Sequence, residues 1–256
     1  MSYVSLVLAM LVLAGGCTAE PIRGPDPIPP GTLEPTVPEA LLEMTTTSNP
    51  GPSMSSTTVR AAITTIQPST TEILVIDDAI VERMASSWRP GCPVPLEDLR
   101  LLRLRYHDFT GGTSMGELVV ADDVADDIMG VFEELYSVGF PIERMELVDA
   151  YAGDDTASMQ ANNTSAFNCR RVEGTDRWSE HAYGIAIDIN PLLNPWMRRS
   201  SVSPAEGAAY ADRSLDVPGM IHDGDAVVQA FARIGWVWGG TWRTTKDYQH
   251  FSRSGR

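Results

Sequence analysis

The chain has 256 residues, of which 43% are hydrophobic, and it carries a formal net charge of −15 at pH 7. This acidity argues against a protein that grips the nucleic-acid backbone, because such a protein needs a basic face. Once two unusual N-terminal stretches are set aside, roughly 180 residues remain, which suffices for one ordinary domain and leaves no room for a second catalytic one.

The first stretch is typical of an export signal. Its apolar run from Val4 to Ala14 is too short for a permanent membrane-spanning helix, and it ends in small residues. Ala14-Gly15-Gly16-Cys17 resembles the bacterial lipobox, although no Lys or Arg precedes the apolar run. Residues 1–17 are therefore predicted to be a lipoprotein signal peptide with Cys17 as the lipidation site. An ordinary secretory signal with an incidental cysteine is the alternative.

Residues 18–75 have the composition of a flexible tether. They are rich in Pro, Ser and Thr, as in Pro27-Ile28-Pro29-Pro30 and Thr45-Thr46-Thr47. Such a segment cannot bury enough apolar surface to offset the entropy that it loses on ordering. We expect it to hold a folded domain, residues 76–256, away from a membrane to which Cys17 anchors it.

Mixed helices and short strands are predicted for the folded domain. Apolar periodicity indicates helices at residues 77–88, 124–138 and 225–234, and short apolar runs indicate strands at residues 101–109, 117–120, 145–151, 184–190, 236–238 and 248–252. The segment around Asn162, Asn163 and Cys169 is predicted to be a long loop. Because helices and strands do not alternate regularly, an α+β domain is favoured over a doubly wound one.

Two cysteines, Cys92 and Cys169, remain after Cys17. In an exported protein an even pair suggests one disulfide, which would fasten the start of the domain to a later segment. Two buried thiols are the alternative. Neither residue has a Cys or His neighbour at ligand spacing, so a metal role is not expected for them.

The most informative segment runs from Ser179 to Asn190, with the sequence SEHAYGIAIDIN. If residues 184–190 form a strand, the three isoleucines face the core, and Asp188 shares the other face with a glycine and an alanine. These small residues leave space for an ion or a substrate beside the carboxylate. His181 comes just before the strand, where a turn can aim its imidazole at the same space.

A second polar segment, Asp247-Tyr248-Gln249-His250-Phe251, follows later in the chain. Together the two segments offer two imidazoles and one carboxylate, from His181, Asp188 and His250, and this set suits catalytic zinc with an open fourth position. Asp247 then remains for acid–base work, since a carboxylate can take a proton from a water that zinc has acidified and pass it to a leaving group. A purely structural Asp247 is the alternative.

The pattern Ser-x-His-x-x-Gly-x-Ala-x-Asp, followed later by Asp-x-x-His, resembles the VanY-like family of D-alanyl-D-alanine carboxypeptidases and L-alanyl-D-glutamate endopeptidases. These are zinc enzymes of peptidoglycan with a Hedgehog-like fold. The chain has every residue of the pattern, between Ser179 and Asp188 and at Asp247 and His250. Residues 163–170 and 238–242 are also similar to that family, and the resemblance covers most of the region after residue 76.

The resemblance implies an α+β domain in which a small mixed or antiparallel sheet is flanked by helices and holds a zinc site. By this similarity His181, Asp188 and His250 bind the zinc ion, Asp247 is the general base and Ser179 contacts the substrate.

Other substrate contacts are expected on loops. An arginine of the family polarises the scissile carbonyl or grips substrate, and Arg170 is the residue expected to do so here, with the adjacent Arg171 as the alternative. Trp238 and Trp242 lie among glycines, where they either pack in the core or wall a shallow peptide cleft.

The implied activity is that of a metallopeptidase that hydrolyses amide bonds of peptidoglycan stem peptides during cell-wall remodelling. We expect an exported monomer, lipid-anchored to the outer face of the bacterial cytoplasmic membrane, with no nucleic-acid partner. A non-catalytic, zinc-containing lipoprotein that binds the cell wall is the main alternative, and a zinc peptidase of exported proteins is a further one.

Overall fold

The computed structural model describes residues 70–256. The helices are α1 (Asp78–Arg83), α2 (Ala125–Ser137), α3 (Asp155–Gln160) and α4 (Ala226–Arg233). The strands are β1 (Glu72–Val75), β2 (Leu99–His107), β3 (Thr113–Ala121), β4 (Arg144–Met145), β5 (Asn163–Thr164), β6 (Ala186–Asp188), β7 (Trp196–Arg198), β8 (Ser201–Ser203), β9 (Val237–Trp238), β10 (Lys246–Asp247) and β11 (His250–Ser252).

These strands form three small antiparallel sheets, in the orders β1-β2-β3, β6-β11-β9 and β10-β7-β8, and one parallel pair, β4 with β5. Small sheets with a few helices make an α+β domain, which confirms the predicted fold class. The predicted signal peptide, Cys17 and most of the predicted tether lie outside the described residues. Among residues 70–256, no helix combines the length and the apolar character needed to cross a bilayer.

The sheet β1-β2-β3 is buried on both faces. Alternate residues of a strand point to opposite faces, so Leu102 and Leu104 of β2 join a larger hydrophobic core with α2, while Leu99 and Leu101 join a smaller core with α1. Since both faces pack against other elements, the adjacent leucines of β2 are buried together.

Strand β1 occupies residues that were expected to belong to the tether. It pairs with β2 from Glu72, opposite Arg103, to Val75, opposite Arg100, and Glu72 also forms an ion pair with Arg103 at 2.7 Å. Folded structure is therefore present four residues before the predicted boundary at residue 76. A four-residue edge strand with mostly half-buried side chains carries too little apolar pattern to be recognised in a sequence.

The larger core continues to the sheet β6-β11-β9. Ile187 of β6 and Phe251 of β11 are fully buried, and Phe231 of α4 stacks on Phe251 with ring centroids 4.2 Å apart. Packing of α4 and α2 against these strands fixes the position of the second sheet.

Several predicted elements differ from the structure. The predicted strand at residues 145–151 is only the end of β4, followed by a 3-10 turn at Val148–Tyr151. The predicted long loop contains α3 and β5, and residues 162–169 are buried. Helix α1 ends at Arg83, before the predicted end at Trp88. In the segment 162–169 adjacent residues are buried in different cores, Ala166 in the larger and Phe167 in the smaller, so periodicity does not reveal its structure.

Cys92 and Cys169 form a disulfide whose Cα atoms are 5.8 Å apart, across a sequence separation of 77 residues. The bond lies beside the smaller core, in which Cys169 is buried. The backbone N–H of Cys169 also donates a hydrogen bond to the carbonyl of Ser87, at 2.9 Å. The disulfide thus holds the buried segment 162–169 against the region that follows α1.

Replacing both cysteines with alanine is expected to lower the free energy of unfolding by roughly 2–5 kcal/mol, because the unfolded chain then contains no closed loop. Urea denaturation of the two proteins measures the difference. As a control, a reducing agent should destabilise the natural protein and have no effect on the double variant. Equal stability of both proteins without reductant would contradict a bond that stabilises the fold.

Candidate metal centre

One rung of an antiparallel ladder positions the first two polar residues of the site. His250 of β11 lies directly opposite Asp188 of β6, and its Nδ1 is 2.9 Å from Asp188 Oδ1. The next rung pairs Phe251 with Ile187, and both side chains point into the core. Because side chains alternate along a strand, His250 and Asp188 face the opposite side of the sheet.

A 3-10 turn at Glu180–Tyr183, directly before β6, carries His181. The Ser179 hydroxyl caps this turn by accepting a hydrogen bond from the backbone N–H of His181. Gly184 ends the turn at a φ of +68°, and a Cβ atom there would lie 2.5 Å from a backbone nitrogen of β3, so only glycine fits. The turn brings His181 Nε2 to 3.2 Å from Asp188 Oδ2.

Backbone oxygens hold the second nitrogen of each imidazole. His181 Nδ1 lies 2.6 Å from the carbonyl oxygen of Ala166, and His250 Nε2 lies 3.0 Å from the backbone oxygen of Arg256. Each ring therefore turns its other nitrogen, Nε2 of His181 and Nδ1 of His250, toward Asp188. Metal-binding histidines usually have such a support, which fixes the tautomer and the orientation of the ring. The buried segment 162–169 supplies one of the two supports.

His181, Asp188 and His250 are buried, and one ligand atom from each lies within 4.8 Å of the others. Two imidazole nitrogens and one carboxylate oxygen are a donor set that zinc takes in catalytic sites, with a further position for water or substrate. The donors and their backbone supports therefore fit a zinc ion.

The metal-free centre is strongly coupled electrostatically. Burial alone would raise the pKa of Asp188, but the two imidazoles outweigh it and hold that pKa below its ordinary value. Burial also opposes protonation of His250, yet its hydrogen bond with Asp188 raises the pKa of His250 to about 9. At neutral pH the metal-free site thus holds a proton between His250 and an anionic Asp188, and a metal ion that binds there must displace this proton.

Asp247 of β10 lines the cavity that contains these residues. Its Oδ1 atom is buried and has no hydrogen-bond partner among the described residues. Burial raises the pKa of Asp247 to about 7, against the opposing effect of the charge on His250. A carboxyl group that titrates near neutral pH can accept a proton and return it, as a general base must.

In the metal-free protein, Asp247→Asn is expected to raise the free energy of unfolding, and to raise it more at higher pH. The folded-state pKa of about 7 lies above the unfolded value of about 4, so the natural protein loses stability as the pH rises between them, whereas asparagine does not titrate. The gain should reach roughly 2–4 kcal/mol at pH 8. Urea unfolding of both chelated proteins at pH 5 and pH 8 measures it; the same gain at both pH values would contradict the raised pKa.

The metal ligands and Asp247 lie on the wall of a cavity of about 700 Å³. Several buried polar atoms of this wall have no hydrogen-bond partner among residues 70–256: Arg170 Nε, Glu180 Oε2, Trp242 Nε1, Asp247 Oδ1 and Gln249 Oε1. Buried polar groups are normally paired. In this wall, several polar groups are thus left without a partner from the described part of the chain.

A comparison with known protein families identifies the segment that forms this centre. Residues 173–253 match a family model described as D-alanyl-D-alanine carboxypeptidase, and the match includes all three candidate metal ligands and Asp247. These residues are similar to that peptidase family. The match confirms the resemblance that the sequence motif indicated. No curated protein and no solved structure gives a significant match to the chain.

The two candidate arginines differ in their position relative to the cavity. Arg170 lines it and forms an ion pair with Asp155 of α3, with Nη2 2.7 Å from Oδ2. Arg171 instead places its guanidinium 4.2 Å from the ring centroid of Trp178 and donates a hydrogen bond to the backbone oxygen of Asp176. Of the two arginines, Arg170 is therefore the one that lines the cavity.

The two tryptophans have different surroundings. Trp242 lines the cavity, with its ring centroid 5.5 Å from that of His250. Trp238 lies in the larger core, and its Nε1 donates to the carbonyl of Tyr248 at 2.8 Å. The prediction that Trp238 contacts substrate is therefore wrong: in β9 the exposed residue is Val237, and alternation turns Trp238 inward. Ser179, in contrast, lines the cavity.

Asp155, Glu180 and Gln249 are among the polar residues of the cavity that were not identified from the sequence. Glu180 and Gln249 immediately precede His181 and His250, and this adjacency was the signal available for them. Asp155 gave no such signal, because it belongs to α3 within a segment predicted to be loop.

Proposed function

We propose that the protein is a zinc-dependent peptidase that hydrolyses amide bonds in peptidoglycan stem peptides, either as a D-alanyl-D-alanine carboxypeptidase or as an L-alanyl-D-glutamate endopeptidase. The convergence of His181, Asp188 and His250 beside Asp247, within a segment that matches a carboxypeptidase family, carries the proposal. Zinc held by these ligands would supply Lewis acidity, which polarises a carbonyl group and acidifies a water molecule.

Asp247 would act as the general base. Its carboxylate would take a proton from the attacking water and return it to the nitrogen of the leaving amine. Arg170, held by Asp155, would place positive charge where the carbonyl oxygen becomes negative. Ser179 and Trp242 would form part of the wall against which the peptide lies.

We also propose that the protein is exported and anchored through a lipid on Cys17 to the outer face of the cytoplasmic membrane. The apolar run before Cys17 supports export, and the disulfide between Cys92 and Cys169 suits an oxidising compartment. The Pro-, Ser- and Thr-rich stretch up to about residue 71 would then let a monomeric domain reach the wall.

Incubating the zinc-loaded protein with defined muropeptides, and identifying the products by mass spectrometry, tests the proposal. Release of terminal D-alanine would identify a carboxypeptidase, and cleavage between L-alanine and D-glutamate an endopeptidase. Comparable cleavage of casein would instead indicate a peptidase of exported proteins. Zinc binding without cleavage of any substrate would reject the enzyme and favour a wall-binding protein.

A further inference from the structure

We infer that Ser252 is a positioning residue of the metal centre, because it holds in place the backbone oxygen that orients the candidate ligand His250. This role rests on the zinc centre of the proposed function and adds to it a residue that is not itself a ligand. Three features of the molecule carry it: the alternation of side chains in β11, the hydrogen bonds of the turn formed by residues 252–256, and the exposure of that turn.

Ser252 lies on the same face of β11 as the candidate metal ligand. Side chains alternate along a strand, so His250 and Ser252 point to one side of the sheet, and Phe251 between them points into the core. The side chain of Ser252 is fully buried. Buried hydroxyl groups are normally hydrogen-bonded. Both partners that the Ser252 hydroxyl has within the described residues are backbone atoms of Arg256.

These two hydrogen bonds close the turn back onto the strand. The Ser252 hydroxyl donates to the backbone oxygen of Arg256 at 3.1 Å and accepts from the backbone N–H of Arg256 at 3.2 Å. Gly255 allows the chain to reverse here, since its φ of +75° is one that other residues rarely adopt. The same Arg256 oxygen lies 3.0 Å from Nε2 of His250. With two lone pairs, this oxygen can accept hydrogen bonds from the serine and the histidine together.

The turn has few other contacts that would hold its last residue at the metal centre. It is largely exposed, and within the described residues the backbone of Arg256 forms hydrogen bonds with Ser252 and His250 alone. The support of His181 differs, because its oxygen belongs to Ala166 in the buried segment 162–169. Exposed segments with few contacts open easily. Ser252 is therefore the contact that keeps the Arg256 oxygen beside His250.

Loss of the Ser252 hydroxyl should weaken zinc binding. Without this hydroxyl the Arg256 oxygen can move away, and the imidazole of His250 then loses the partner that fixes its tautomer and orientation. Ser252→Ala is expected to raise the Kd for zinc by about 10- to 100-fold, which is the effect of losing an outer-shell partner of a metal ligand. Titration of the metal-free protein with zinc, against a competing chelator, measures the Kd.

Two further variants separate positioning from a general loss of stability. Ser87→Ala is the matched control, because it also removes a buried serine hydroxyl, one that donates to the carbonyl of Met84, and it should keep the natural Kd for zinc. Gly255→Val leaves Ser252 in place but strains the turn, since a branched residue is disfavoured at positive φ and a Cβ atom would lie 3.3 Å from Val237. It should raise the Kd as Ser252→Ala does.

Proton NMR of the zinc-loaded protein reports directly on the orientation of the two rings. The ring N–H groups of His181 and His250 should both give signals, because each lies against a backbone oxygen that slows its exchange with water. In Ser252→Ala at saturating zinc, the His250 signal should disappear through exchange, and the His181 signal should remain. A serine that only stabilises the fold would affect both signals or neither.

Natural zinc affinity in Ser252→Ala or in Gly255→Val, an equal loss of affinity in Ser87→Ala, or an unchanged His250 signal would each overturn the positioning role. These measurements need no substrate, so their outcome is separate from that of the proposed hydrolysis. A natural protein that binds zinc but cuts no peptide would reject the hydrolysis and still allow the test of Ser252. A natural protein that binds no zinc would reject the metal centre and the role of Ser252 together.

Discussion

Asp247→Asn is expected to lower kcat/KM on a stem peptide by about 10²–10⁴-fold while zinc remains bound. The amide has the size of the carboxyl group but cannot accept the proton of the attacking water. Zinc binding should persist because His181, Asp188 and His250 supply the ligand atoms. Steady-state kinetics and the metal content of the purified variant, measured by mass spectrometry, check the two expectations together.

Asp223→Asn is the matched control, because Asp223 is exposed and does not line the cavity. It should change neither turnover nor zinc content. If metal-free Asp247→Asn is more stable than the natural protein, as expected, unfolding is excluded as the cause of lost turnover, since a variant that is more stable and less active is typical of a strained catalytic group. Natural turnover in Asp247→Asn would remove Asp247 from the mechanism, and loss of zinc would assign it to the metal site.

The candidate ligands could be predicted because strand alternation is visible in the sequence. The isoleucines on either side of Asp188 are fully buried, as the period of two requires, and the carboxylate faces the other way. The register that places His250 opposite Asp188 could not be predicted, since it depends on packing of Phe251 against Phe231 of α4. Only the spacing of the family motif indicated that the two residues meet.

The sequence alone could not show which of two nearby tryptophans, or which of two adjacent arginines, lines the cavity. Trp238 and Trp242 both lie among glycines. Trp238 is in the core because it is on the inward face of β9, whereas Trp242 reaches the cavity because the 3-10 turn at Gly239–Thr241 separates the two residues. Arg170 and Arg171 diverge for a similar reason, because Asp155 holds the first and Trp178 the second. Asp155 belongs to α3, and an antiparallel bridge between Arg171 and Trp178 brings those two residues together; periodicity encodes neither contact.

Replacing one of the metal-binding residues should have the largest effect on activity, because the zinc ion then loses one of its protein ligands. His250→Ala is expected to weaken zinc binding by more than about 100-fold, since even loss of an outer-shell support costs 10- to 100-fold. Hydrolysis of stem peptides should then fall to the background rate at micromolar zinc. A chelator should likewise abolish turnover in the natural enzyme, and added zinc should restore it. Metal titrations and kinetics measure these effects.

The effect of zinc on the Tm of the natural protein and of its variants tests where the metal binds, without a measurement of activity. A ligand that binds only the folded state stabilises it by about 2.7 kcal/mol at 100 times its Kd. Zinc should therefore raise the Tm of the natural protein and of Asp247→Asn, but not that of His250→Ala. His222→Ala is the matched control and should respond like the natural protein, because His222 lies outside the cavity and contacts Leu215 and Asp225. Undiminished stabilisation of His250→Ala by zinc would place the ion elsewhere and remove the basis of the proposed hydrolysis.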